Sequence, residues 1–131
     1  LYSIGLQSEI INARLQPGLY INNLIYTGMA QKIYAGVTVD INDEGYFTNP
    51  VQWTKEIAME IGKEEGIQLT DKHLEVLKFI RDRFSKGEML TIRSVGNSGI
   101  TDIKGFYGLF PGAPMKKAAK IAGIPKPASC V

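Results

Sequence analysis

Two prolines, Pro125 and Pro127, close the last seven residues of the sequence to helix. Each lacks an N–H, fixes its own φ and pushes the residue before it toward extended geometry. The stretch from Pro125 to Val131 is therefore expected as an arm of polyproline II type that projects from the body. It would reach roughly 20 Å at about 3.1 Å per residue. Next to its end stands Cys130, the only cysteine among the 131 residues. A lone cysteine is ordinarily a small packing residue. On an arm with few large apolar neighbours it is instead expected to be an exposed thiol, an oxidation liability unless it is used. Cys130 is thus the candidate catalytic residue, and the chain before the arm is the body that carries it.

Glycine and proline cut that body into short pieces. Leu1–Gln16 could form a short helix, broken by Pro17-Gly18, and 19–28 is a short β-prone patch. Met29-Ala30-Gln31 reads like a natural start, which would make residues 1–28 an extension. Val37, Val39 and Ile41 alternate with polar residues, the pattern of a half-buried strand. Asn42-Asp43-Glu44-Gly45 supplies a turn and Tyr46-Phe47 a return strand. Asn49-Pro50 predicts a helix start, with Trp53, Ile57, Ala58 and Ile61 on one face. Thr70-Asp71 opens the next helix, whose expected apolar face is Leu74, Leu77, Ile80 with the stem of Arg81, and Phe84, with Gly87 beyond its end. His73, the only histidine, is expected at the surface or in a cap. Thr91 and Thr101 each start a short helix around Gly96–Gly99, a helix-turn-helix-like pattern. The last helix is expected over 115–122, with Gly123 as its cap. The expected fold is mainly α with a small N-terminal β-hairpin (α+β), a compact helical bundle with an extended C-terminal arm.

Charge is uneven although the net is only +2. Residues 1–89 carry nine Lys and Arg against twelve Asp and Glu, whereas 90–131 carry six against one. That basic third suits an acidic protein surface or a phosphate backbone, and with the helix-turn-helix pattern it makes a DNA-binding regulator the competing reading. No stretch has the length and apolarity of a membrane span. The single cysteine excludes an internal disulfide and a cysteine-rich zinc site, and fits a reducing, cytoplasmic setting. There is no phosphate loop, nucleophile elbow or metal-binding spacing, so neither cofactor nor metal is expected. The pairs Glu56/Glu60 and Glu64/Glu65 read as a solvated helix face.

Leu109-Phe110-Pro111-Gly112-Ala113-Pro114, then Ala118-Ala119-Lys120-Ile121-Ala122-Gly123-Ile124-Pro125-Lys126-Pro127 and Cys130-Val131, resemble the signature of the DsrC/TusE family of sulfur-relay proteins. Asp43-Glu44-Gly45-Tyr46-Phe47, Trp53-Thr54, Glu65-Gly66-Ile67, His73, Phe79-Ile80-Arg81-Asp82 and Ile92-Arg93 agree with it in order. The resemblance runs from Met29 to Val131. It implies a sulfur carrier that holds sulfane sulfur as a persulfide on Cys130, with Arg93, Lys120 and Lys126 seating the arm or its partner. Members acting with dissimilatory sulfite reductase have a second cysteine eleven residues earlier, and Ala119 stands there here. The implied role is therefore closer to TusE-like members, in a tRNA 2-thiouridine relay. The implied donor is of TusBCD or DsrEFH type, and the acceptor a tRNA thiouridylase or a sulfite-reductase-type complex. A gamma-subunit role in sulfite reduction is the alternative. The expected organisation is an extension over 1–28, a domain over 29–123 and a flexible arm over 124–131.

Overall fold

The computed structural model describes residues 29–128. The expected helix over 1–16, the patch over 19–28 and the arm tip with Cys130 lie outside them. Two strands, β1 (Met29–Tyr34) and β2 (Val37–Asn42), pair antiparallel from Met29↔Asn42 to Tyr34↔Val37. Five helices follow: α1 (Lys55–Glu64), α2 (Asp71–Ser85), α3 (Ile92–Gly96), α4 (Ile103–Leu109) and α5 (Pro114–Ile121). The fold is α+β, as expected.

The hairpin sits one strand earlier than its sequence suggests. Its turn is Ala35-Gly36, both at positive φ (50° and 77°), the pair a tight two-residue hairpin turn requires. Alanine at such a φ is uncommon, which hides the turn from a search for Asn-Gly or Asp-Gly. The expected turn over 42–45 also forms: Asn42 Oδ1 accepts from the backbone N–H groups of Glu44 and Tyr46. Its return strand shrinks to a single bridge, Ile41↔Phe47.

Helix starts are largely where polar caps stand. Thr54, Thr91 and Asp102 each accept a hydrogen bond from a first-turn N–H. Asp102 takes the capping place expected of Thr101. Asn49-Pro50 opens only a 3-10 turn, Pro50–Gln52, after which Trp53 is extended and α1 begins anew at Thr54. On α2 the buried face is His73, Val76, Leu77 and Ile80, while Phe84 stays exposed and Leu74 half-buried. His73 is a cap, as expected, but is not at the surface. Its Nδ1 accepts from Thr70 N–H, and its Nε2–H donates to the Leu109 carbonyl at the end of α4.

The core gathers Phe47, Ile57, Ile61, Leu77, Ile80, Phe106, Phe110, Met115 and Ile121 around α5. Pro114, Met115, Ala118, Ala119 and Ile121 of α5 are all buried, and the helix packs on α1, α2 and α4. Its alanines allow that close approach. Two carboxylates expected on a solvated face do more than solvate. Glu60 accepts from Ala35 N–H, and Glu64 accepts from Tyr34 Oη and pairs with Lys32 at 2.8 Å. One turn of α1 thereby fastens the hairpin.

Candidate functional site at the root of the arm

A helix end leaves its last four carbonyls without intrahelical partners. On α5 these belong to Ala119, Lys120, Ile121 and Ala122, and all four are taken. Ile124 N–H donates to Ala119 O and Gly123 N–H to Lys120 O, the paired closure that a left-handed residue after the helix makes possible. Gly123 supplies that conformation at φ 69°. Trp53 Nε1–H donates to Ile121 O at 2.8 Å. Arg81 Nη1 donates to Ala122 O at 2.8 Å, and Nη2 to Pro50 O at 3.1 Å. The guanidinium lies over the Trp53 ring, 4.3 Å from its centroid. Burial of the group lowers its pKa from the ordinary arginine value, and the two carbonyls and the ring face replace the lost water. A methyl group at Gly123 would collide with the indole. Ile124, the first residue of the expected arm, is buried, so the arm starts from inside the core.

The turn over 42–46 forms the next support. Lys126 Nζ pairs with Glu44 at 3.4 Å. Lys120 Nζ pairs with Glu65 at 3.6 Å and lies 5.5 Å from the Tyr46 ring centroid, with its stem end against Gly45. Lys120 and Lys126 are thus brought to one side of the turn. Arg93 is exposed on α3, and its guanidinium is bonded to none of the described residues. On another side, Pro125, Lys126, Pro127 and Ala128 form one wall of a cleft of about 430 Å³. Phe84, Met89 and Leu90 line it as well. Pro125 and Pro127 are half-buried, so the described part of the arm runs along the body before its tip.

Trp53 and Arg81 were not among the expected site residues. Their signals were present: an indole one residue before a Thr cap, outside its helix, and an arginine inside the apolar stripe of α2. Either is ordinary alone, and only the fold brings both to the end of α5.

The family described as DsrC like protein matches residues 33–131. Sulfurtransferase TusE of Escherichia coli (strain K12) is 35% identical over 108 residues, covering 76% of this chain and 98% of that protein. The solution structure of Allochromatium vinosum DsrC superposes with a TM-score of 0.67 at 27% identity, over 79% of this chain and 99% of that one. The oxidized gamma-subunit of the dissimilatory sulfite reductase (DsrC) from Archaeoglobus fulgidus gives the same score and identity, over 78% and 100%. The fold is that of the small α+β DsrC proteins. The chain belongs to the DsrC-like family.

Proposed function

We propose that this protein is a sulfurtransferase-type carrier that takes up sulfane sulfur on Cys130 and hands it to a partner. The observation that carries the reading is the root of the arm. A stiff Pro-Lys-Pro segment leaves a fully bonded helix end, and the sole thiol of the sequence follows three residues later. The family match and the relatives named sulfurtransferase support it. In the transfer, the Cys130 thiolate attacks the outer sulfur of a donor persulfide. A new S–S bond forms on Cys130, the donor's S–S bond breaks, and its electron pair leaves on the donor thiolate. The proton stays on the outer sulfur and no net oxidation occurs. An ordinary thiol is only partly ionised at neutral pH but strongly nucleophilic, so a partner's pocket can complete the activation. Lys120 and Lys126 have carboxylate partners, which supports a seating role for them, and Arg93 is left for a partner's surface.

The finer assignment is a tRNA 2-thiouridine relay in the cytoplasm, fed by a TusBCD-type donor and drained by a thiouridylase. Ala119 supports this over the two-cysteine chemistry of sulfite-reductase partners, because a single cysteine cannot close an intramolecular disulfide. Direct DNA binding draws less support: α3 has five residues, and α4 exposes Ile103 and Tyr107. The remaining division, an extension over 1–28 before the family domain, belongs to the same proposal.

The test is intact-mass spectrometry after incubation with inorganic polysulfide. Wild type should gain one sulfur and Cys130→Ser none, with unchanged melting. A wild type that takes up no sulfur, or a serine variant that takes it up equally, would end the carrier reading.

A further inference from the structure

We propose that Arg81 and Trp53 are positioning residues: a latch on the last turn of α5 that sets the direction in which the arm leaves. The inference rests on the reading of Cys130 as the sulfur carrier. The backbone closure by Gly123 and Ile124 already satisfies two of the four final carbonyls. Water could serve the other two at a surface. Instead the indole N–H holds Ile121 O, and one guanidinium holds Ala122 O and Pro50 O together. Ordinary capping does not require a half-buried cation, and burying one is costly unless each donor finds a partner. Arginine suits the place because its planar fork reaches two acceptors while stacking on a ring, which lysine cannot do. The same group ties the helix end to the 3-10 turn, so the root is fixed to two elements at once.

Direction at the root matters because Pro125 and Pro127 restrict the backbone that follows it. Seven residues at the polyproline II rise of about 3.1 Å each span roughly 20 Å, and over such a length a tilt of about 15° at the base moves the far end by about 5 Å. Sulfur transfer needs reacting atoms aligned within a fraction of that distance. Aim at Ala122–Gly123 therefore limits how often Cys130 meets a partner's sulfur correctly.

The chain carries one tryptophan and one cysteine, a donor and acceptor site placed by nature at root and tip. Time-resolved energy transfer from Trp53 to a dansyl group on Cys130, in the full chain, reads the spread of arm directions. Arg81→Met removes both carbonyl bonds and should widen the distance distribution at least twofold. Arg81→Lys keeps charge and stem and should fall between it and wild type. Amide exchange at Ile124 should quicken in the same order, while α1 and α2 keep their protection. Should Arg81→Met fail to fold, Arg81→Lys decides. An unchanged width, or widening with equal loss of protection across α1 and α2, overturns the latch. Neither readout depends on sulfur uptake, so a wild type that takes up none sinks the carrier reading separately.

Discussion

Gly123 is held by the backbone from within and by Trp53 from outside. At φ 69° a side chain is strained, and a methyl there also strikes the indole. Gly123→Ala should lose about 1–3 kcal/mol, the range for a non-glycine residue forced into a sparse backbone region. Urea unfolding measures it, and a loss below half a kilocalorie would mean that the indole moves aside freely. A second residue-scale expectation concerns Lys32 and Glu64. Burial works to raise the Glu64 pKa, but hydrogen bonds from Lys32 and Tyr34 outweigh it and hold the group below its ordinary 4.5. Lys32 is raised above 10.5, first by its hydrogen bond to Glu64. The carboxylate's share of stability is thus present above the unfolded carboxylate value and lost as pH falls through the folded one. The lysine's share is present below the unfolded lysine value and lost as pH rises through the folded one. Both side chains are more than a third exposed, so screening holds the pair under about 1 kcal/mol. The melting difference between wild type and Glu64→Gln should be flat around neutrality and shrink below about pH 4. A difference that persists in acid would show that packing, not charge, is responsible.

Among the elements, α2 and α4 are joined through one ring. His73 caps α2 with Nδ1, holds the Leu109 carbonyl with Nε2 at 2.8 Å, and meets Phe110 edge-on at 5.1 Å. His73→Ala should cost about 1–3 kcal/mol, because it takes the partner from the carbonyl of half-buried Leu109 and removes a cap. Equal denaturation midpoints for variant and wild type would show that water replaces the ring. What the sequence discloses at this scale follows from where the physics is local. Helix starts such as Thr70 and Thr91 act on their own first turn, so α2 and α3 could be placed to within a residue or two, whereas α1 begins at Thr54, five residues after the expected start at Asn49-Pro50. The strand Met29–Tyr34 could not be placed, since only Tyr34 among the residues from Ala30 onward is buried and no alternation marks it. Glu60 and Glu64 looked solvated because their partners stand about 25 to 30 residues earlier. Pro125 and Pro127 exclude a helix in the arm, but they do not disclose that Ile124 is buried and that the segment to Ala128 lies along the body instead of projecting from it, and the Arg81–Trp53 contact requires two elements and a helix end to meet.

Across the whole molecule, the core of the described residues runs from Tyr34 to Ile124, and the family match begins at residue 33. A chain beginning at Met29 should therefore melt cooperatively within a few degrees of the full one, by calorimetry. A drop well beyond that would show that residues 1–28 contribute to the fold. No helix among the described residues is long and apolar enough to cross a membrane. The burial of α5 has an outcome for biosynthesis. The helix that seals the core against α1, α2 and α4 is translated after all three, with Cys130 a few residues behind it. During synthesis the earlier helices have no partner for the faces they turn toward α5, and domains close as units once their final element emerges. A ribosome that stalls before residue 114 holds a chain whose core lacks α5 and whose Cys130 has not been made.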